Sequence, residues 1–162
     1  MSKVRRLRAV RLLAAGLVTI AAVLGAGHAR ADEPGFAWRV LSEADIKVDL
    51  IGRTIEGHYP RGEPFTEALY LDFSTDYSDS LRRAPGVVSF RQDAMCFAYP
   101  VATDVAGGCF IVWQRSPNCY DFYAVRDGEA FATVFERSLG LGWDARVWRT
   151  DAGSTCPAIP LS

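Results

Sequence analysis

The chain has 162 residues, and its 18 basic side chains nearly balance its 19 acidic ones. Residues 1–31 contain six of the basic side chains and no acidic one, so residues 32–162 have a net charge of −7. Nucleic acids attract surfaces rich in lysine and arginine, and this charge therefore argues against a nucleic-acid partner. It is compatible with a basic protein partner.

Residues 1–31 have the layout of a secretory signal peptide. Basic residues precede the uncharged run at residues 12–27, and Ala29, Arg30 and Ala31 form an A-x-A cleavage motif. A retained membrane anchor is the alternative, but the run is short for a membrane span, which needs about 20 apolar residues. We therefore predict cleavage after residue 31, a periplasmic or secreted location, and no membrane association after cleavage. Residues 32–162 are then a single disulfide-stapled β domain, which we expect to be a monomer.

The segment at residues 41–52 predicts one short helix. Ser42 can cap its N terminus, with Asp45 in the capping-box position three residues later. Gly52 is a typical residue just after a helix. We expect Val40, Ile46 and Leu50 to form the apolar face, which must dock on the rest of the chain because so short a helix is marginal alone.

After Gly52 the apolar residues alternate with a period of two, which indicates β-strands. The predicted strands are residues 53–59, 65–74, 87–93, 94–100, 109–115, 119–125, 130–138 and 145–150. The polar residues 75–86 predict a loop or a weak edge strand, and Asp127-Gly128 predicts a hairpin turn. Short strands at this spacing predict a mainly β fold, a small antiparallel up-and-down barrel or sandwich of about eight strands. The short N-terminal helix would cover one end.

The four cysteines, Cys96, Cys109, Cys119 and Cys156, are disulfide candidates. No C-x-x-C pair is present, although zinc sites and thioredoxin-like sites usually contain one. We therefore predict two disulfides, no metal and no cofactor. The sequence leaves the pairing open, but we favour Cys156 holding the C-terminal tail to the sheet. A hairpin that places Cys109 opposite Ala124 would keep Cys109 and Cys119 from bonding to each other.

His58 is the one histidine of residues 32–162, and strand alternation places it on the same face as Glu56. A hydrolase on this chain would have to use His58 and carboxylates. No G-x-S-x-G motif supplies a nucleophile, so we predict no catalytic residue and a surface histidine at a strand end.

Asp121 is the charged residue that a pure scaffold would not need. In its strand it shares a face with Cys119 and Tyr123, while the neighbouring aromatic residues take the other face. A buried carboxylate here would need a partner, for which Arg115 and Arg91 are candidates. The alternative is a carboxylate that faces solvent.

Aromatic side chains are abundant on the predicted strands. They are Phe97, Tyr99, Trp113, Tyr120, Phe122, Tyr123, Phe131 and Phe135. We expect most of them to fill the core, and the alternative is an aromatic pocket for a flat ligand inside a small barrel. Trp143 and Trp148 are candidate contact residues for a partner, together with Asp121 and His58.

Several short patterns resemble a large uncharacterised family of small exported proteobacterial proteins. They are Gly52, Thr54 and Gly57 after the helix, then Gly86 and Phe90, then Cys96, Phe97 and Tyr99, and finally Asn118, Cys119 and Tyr120. The match spans residues 41–126 and departs from the family at Phe90, where tryptophan is expected, and in the additional Cys109 and Cys156. The resemblance implies a fold and a compartment, and no activity. The cysteine-bearing hairpins also resemble small periplasmic inhibitors of lysozymes or metalloproteases.

These observations favour a non-enzymatic binding or inhibitor protein of the small-barrel type. A carrier of a small apolar or aromatic ligand is the second hypothesis. A hydrolase built on His58 and carboxylates is the third.

Overall fold

The computed structural model describes residues 38–101, 104–126 and 129–158. The predicted signal peptide and the Asp127-Gly128 turn lie outside these residues. No helix in the described ranges is long and apolar enough to cross a membrane.

Eight antiparallel strands form a closed up-and-down barrel, and two shorter strands extend it. In chain order the strands are β1 (Arg39–Val40), β2 (Arg53–His58), β3 (Pro64–Leu69), β4 (Ser74–Asp79), β5 (Arg83–Arg91), β6 (Ala94–Ala98), β7 (Gly108–Ser116), β8 (Cys119–Arg126), β9 (Glu129–Ala130) and β10 (Ala145–Arg149). Strands β2 to β8 pair in sequence, and β10 closes the ring between β8 and β2. Short β1 pairs with β7, and short β9 pairs with β8. The mainly β prediction is confirmed, and of its two architectures the barrel is the one that forms.

The predicted N-terminal helix is confirmed as α1 (Glu43–Asp49). Ser42 accepts a hydrogen bond from the backbone of Asp45 at 3.2 Å, and the Asp45 carboxylate accepts one from the backbone of Ser42 at 3.0 Å. Ile46 and Leu50 are fully buried. Val40 was expected on this face but lies exposed in β1, because the chain is still extended there.

The helix α1 closes one end of the barrel, which we call the helix end. The backbone N–H of Glu43 donates to Asp93 in the β5–β6 turn at 2.9 Å, and the N–H of Leu41 donates to the carbonyl of Val112 in β7 at 2.8 Å. The opposite end, which we call the open end, carries the β2–β3, β4–β5 and β6–β7 connections. The two ends therefore differ in what fills the interior.

Residues 75–86 were predicted as a loop or a weak edge strand, and the loop prediction is wrong. Most of them form β4 and the start of β5 within the ring. Thr75 and Tyr77 alternate inward and are buried. The polar pattern hid this strand because the Thr75 hydroxyl is satisfied internally, by Glu67 at 2.5 Å and by the carbonyl of Ala68 at 2.8 Å.

The predicted strand at residues 130–138 is also wrong, because most of it forms the short helix α2 (Val134–Ser138). Thr133 accepts a hydrogen bond from the backbone of Glu136 at 3.1 Å, and the Glu136 carboxylate accepts one from the backbone of Thr133 at 2.8 Å. This capping box was readable as T-x-x-E at positions 133–136. The apolar residues around it, which suit strands, had suggested otherwise.

Both predicted disulfides form. Cys96 and Cys109 are direct cross-strand partners in β6 and β7, and Cys119 at the start of β8 is bonded to Cys156. The tail-holding role of Cys156 is thus confirmed, and Cys109 and Cys119 are not bonded to each other. Cys109 lies opposite Val125 and not opposite Ala124.

The C-terminal tail has a second anchor next to Cys119. The side-chain amide of Asn118 donates to the carbonyls of Arg149, Ala152 and Gly153 at 3.0–3.1 Å, and its backbone N–H donates to the Thr155 hydroxyl at 2.9 Å. The tail therefore lies against the helix end of the barrel.

Candidate functional site

A cavity of about 340 Å³ occupies the open end of the barrel interior. At the helix end, Ile46 and Leu50 of α1 belong to the packed core. Toward the open end, Ala124 and Ala145 line the cavity with small side chains, which leaves space. An eight-strand barrel is just wide enough to be filled by side chains or to hold one small ligand. In this chain, side chains fill the barrel at the helix end, and the open end keeps a cavity with room for a small ligand.

The wall of the cavity is largely aromatic. The aromatic lining residues are Tyr59, Phe65, Tyr77, Phe97, Tyr99, Phe110 and Phe122. Neighbouring rings contact one another, with centroids 4.8 Å apart for Tyr59 and Phe65 and 5.9 Å apart for Phe110 and Phe122. Such pairs stabilise one another beyond the area they bury. The wall is therefore a preformed apolar surface. These rings both pack in the core and line a cavity, and a flat ligand in that cavity stays a prediction.

Glu67 is a carboxyl group set into this wall. Strand β3 alternates inward at Phe65, Glu67 and Leu69, and Glu67 is only 3% exposed. The Thr75 hydroxyl donates to Oε1 at 2.5 Å, and the Tyr99 hydroxyl lies 2.9 Å from Oε2. Burial raises the pKa of Glu67 to about 7, against the hydrogen bonds from Thr75 and Tyr99, which lower it.

Glu67 was not among the predicted site residues, although the sequence contains a signal for it. Alternation in the predicted strand places Glu67 on the same face as Leu69, so a carboxylate fell on an apolar face. A charged residue at such a position is costly unless it is neutral or partnered. Such a conflict between a side chain and its face indicates a candidate functional residue.

Tyrosine hydroxyls form a short polar chain beside the cavity. The hydroxyls of Tyr59 and Tyr77 are 3.1 Å apart, and Tyr77 donates to Asp79 Oδ2 at 2.9 Å. Arg82 binds the same carboxylate at 2.5 Å and holds the pKa of Asp79 well below its usual range. Burial raises the pKa of Tyr77. Because Tyr77 donates to Asp79, Tyr59 is the donor in the Tyr59–Tyr77 contact, and both neutral hydroxyls keep only lone pairs with which to accept further hydrogen bonds.

Asp121 belongs to a different region, the outer face of β8. It is 0% exposed and lies between two arginines: Arg115 Nε is 2.6 Å from Oδ2, and Arg146 Nε is 2.6 Å from Oδ1. The solvent-facing alternative and the role as a contact residue are therefore wrong. Of the two partners expected, Arg115 is confirmed and Arg91 is not, and Arg146 was missed.

The connection at residues 131–144 covers this charged group. Arg115 donates to the carbonyl of Arg137 in α2, and also to the Tyr123 hydroxyl at 2.5 Å. A β-bulge interrupts the β7–β8 ladder at Arg115, between Gln114 and Ser116. Bulges re-aim side chains, and this one accompanies the turn of the Arg115 guanidinium toward α2. The ion pair thus fastens the connection to the barrel.

Tryptophan rings cover the two guanidinium groups. The centre of the Arg115 guanidinium is 4.9 Å from the Trp38 ring centroid and 5.3 Å from that of Trp113, and the Arg146 guanidinium is 4.8 Å from that of Trp143. Aromatic faces attract cations electrostatically, and they shield these charges from water.

His58 and the two C-terminal tryptophans pack together on the outer face. The centroid of the His58 ring is 5.3 Å from that of Trp143 and 6.1 Å from that of Trp148, and His58 is buried. The prediction of a surface histidine is therefore wrong, and burial lowers the pKa of His58. Its Nδ1 faces the carbonyl of Tyr59 at 3.3 Å. Trp143 and Trp148 are half-buried, so each keeps only part of its surface for contact.

The outer surface of the 131–144 connection is apolar, and we call it the α2 patch. It consists of Phe131, Val134, Phe135, Leu139 and Leu141, each more than half exposed. Phe131 and Phe135 were expected in the core, and that expectation is wrong because α2 replaces the predicted strand. Residues 129–144 contain three acidic side chains and one basic side chain, so this segment is net acidic.

In the described part of the chain, no group of three or more His, Cys, Asp or Glu side chains is placed to hold a metal ion. Comparison with protein-family models, with curated proteins and with solved structures gave no significant match. The resemblance to the exported proteobacterial family stays a prediction, and the function has to be argued from the site itself.

We predict that Asp121→Asn destabilises the protein by about 3–5 kcal/mol, because it leaves two buried arginines without a counter-charge. Chemical denaturation gives the free energy of unfolding. Asp151→Asn is the matched control: Asp151 also pairs with two arginines, Arg53 and Arg149, but is itself exposed, so its replacement should change stability by at most about 1 kcal/mol. Equal effects of the two substitutions would contradict the role given to Asp121.

The raised pKa of Glu67 predicts that the free energy of unfolding depends on pH. Its pKa is about 7 in the folded chain against 4.5 for the free side chain, so the folded state holds the proton more tightly. The free energy of unfolding should therefore fall by about 3 kcal/mol as the pH rises from 4.5 to 7. Above that window the Glu67 contribution is constant.

The Glu67→Gln variant should lack this fall, and the measurement is its free energy of unfolding minus that of the wild type across the pH range. Glu63→Gln, at an exposed position near the same barrel end, should keep the fall. A wild-type curve parallel to that of Glu67→Gln would refute the prediction.

Proposed function

We propose that the protein is an exported, non-enzymatic binding protein that takes a small, flat, largely apolar ligand into the open end of its barrel. The observation that carries the proposal is the cavity of about 340 Å³ with its aromatic wall. Ligand pockets typically have volumes of about 300–1,000 Å³ and an apolar lining with a few polar groups. Export rests on the signal-peptide pattern, and two disulfides are compatible with an oxidising compartment.

The chemistry around the cavity supports binding. The Tyr59 and Tyr77 hydroxyls bond to each other, and those of Tyr77 and Tyr99 bond to carboxylates. His58, on which the hydrolase hypothesis depends, lies on the outer face against Trp143 and Trp148. The few polar groups of the wall are thus placed to orient a ligand, as in other small-molecule sites.

Filling the cavity tests this proposal. We expect N-phenylnaphthylamine, a neutral fluorescent probe, to bind the wild-type protein. Ala124→Phe places a ring in the cavity and should weaken binding at least about tenfold. Ala98→Phe is the control, because Ala98 is exposed outside the barrel interior, and it should leave the dissociation constant unchanged. The measurement is a fluorescence titration of each variant.

Two results would defeat the proposal. One is a wild-type protein that does not bind the probe. The other is equal binding by Ala124→Phe and the wild type, which would place the probe outside the cavity.

A second candidate function, inhibition of a basic enzyme, is favoured by the α2 patch. Exposed apolar patches rimmed by polar residues mark protein contacts, and residues 129–144 are net acidic. The charge of −7 over residues 32–162 favours a basic partner in the same way. The partner we propose is a basic lysozyme, in line with the resemblance of the hairpins to lysozyme inhibitors.

Two exposed valines on helices provide a matched test. Val134 in α2 is 67% exposed and Val48 in α1 is 74% exposed. Val134→Asp should weaken inhibition of a purified basic lysozyme at least about tenfold, whereas Val48→Asp should leave it within about twofold. If the wild type inhibits the enzyme in neither low nor high salt, or if both variants lose inhibition equally, the inhibitor function is wrong.

A further inference from the structure

Both charged groups that line the cavity are acidic. They are Glu67, set into the wall, and Asp144, which precedes β10. Among the described lining residues no lysine, arginine or histidine offers a counter-charge. A site for an anionic ligand would have the opposite pattern, because like charges repel across a poorly solvated pocket.

Among the residues that the structure describes, Glu67 has hydrogen-bond donors but no cationic partner. Its described donors are the hydroxyls of Thr75 and Tyr99, and Oε2 accepts only from Tyr99. A buried carboxylate is strongly disfavoured without an opposite charge. The carboxyl is therefore poised to gain from any ligand that brings a donor with a positive charge, since charge-assisted hydrogen bonds are the strong ones.

The aromatic rings around Glu67 also favour a ligand with a positively charged donor. Tyr77 and Tyr99 contact edge to face with centroids 5.9 Å apart, and Tyr59 and Phe65 stack beside them. Faces of tyrosine and phenylalanine attract an ammonium group within about 6 Å of the ring centroid. A carboxylate enclosed by such rings is a recognition site for an amine.

We infer that the ligand is a small amine with an aromatic body and its nitrogen on a saturated carbon, whose ammonium group donates to Glu67 while the aromatic body lies against the ring wall. This inference rests on the proposed ligand-binding function and names the chemical class of its ligand. Glu67 is then the residue that selects the cation, and the aromatic wall binds the rest of the molecule.

The titratable groups facing Glu67 set how binding depends on pH. They are Tyr59 after β2, Tyr77, Asp76 and Asp79 on β4, Tyr99 after β6, Asp144 before β10, and Arg82, which binds Asp79. The tyrosines are neutral near pH 7, since the ordinary tyrosine pKa is 10.0 and burial raises their pKa values further. Glu67 is therefore the group that changes charge near neutrality, and the amine should bind more tightly once the Glu67 carboxyl is ionised.

Calorimetric titration with two probes of nearly equal shape tests the inference. Naphthylmethylamine carries the ammonium group, and naphthylmethanol is its neutral counterpart. At about pH 8 we expect the wild type to bind the amine at least about tenfold more tightly than the alcohol. Glu67→Gln should abolish the preference, so that the variant binds the amine and the alcohol within about twofold of each other. Glu63→Gln makes the same chemical change at an exposed position near the same barrel end and should keep the preference.

A second measurement needs only the wild type. Lowering the pH from about 8 to about 5 should weaken amine binding about tenfold, because Glu67 becomes protonated while the amine stays charged. The affinity for the alcohol should not change. This comparison decides the inference if Glu67→Gln fails to fold.

The outcomes separate the two proposals. If the wild type binds the alcohol but does not prefer the amine, or if Glu67→Gln keeps the preference, the inference is wrong and the ligand-binding function stands. If the wild type binds neither probe, both are wrong. A preference that disappears in Glu67→Gln and at low pH supports the inference.

Discussion

Closure of eight strands into one ring limits the interior to a single column of side chains, and the rest of the structure depends on how that column is filled. At the helix end the capping box at Ser42 and Asp45 starts α1, which delivers Ile46 and Leu50 into the column. Closure also removes the exposed strand edges that would otherwise pair with other chains. The space that remains at the open end is therefore enclosed by paired strands, and its shape is set by their inward residues.

The outer face is organised by a second principle, the satisfaction of buried charge. Asp121 on β8 binds Arg115 and Arg146, and these arginines lie under the 131–144 connection and the tryptophan rings. Breaking such a group by removing one partner is strongly destabilising, although an apolar replacement of the whole group is often tolerated. The group therefore specifies where the connection lies more than it adds to stability. With that connection fixed, the exposed apolar side chains of α2 stay on the surface.

Local signals predicted much of the fold. The capping box of α1 lies within four consecutive residues, and the alternation in β7 and β8 placed Asp121 and Cys119 on one face. Features that depend on distant residues were less accessible. Arg146 reaches Asp121 from 25 positions along the chain, and whether Asp121 is covered depends on α2. Strong strand preferences at Phe131 and Phe135 concealed the T-x-x-E box that starts that helix. The cavity depends on the volumes of side chains from several strands, which alternation does not measure.

The carboxyl of Glu67 places stability and function in opposition. Its raised pKa means that the empty barrel is most stable when the group is protonated, whereas the ionised form is the one that attracts an ammonium ligand. Near neutral pH part of the empty protein thus carries a locally unfavourable charge at Glu67. Active and binding sites often carry such a stability–function trade-off. Under the amine binding that we propose, the single inward residue Glu67 carries this trade-off in the barrel, so a variant stabilised at that position would be less selective.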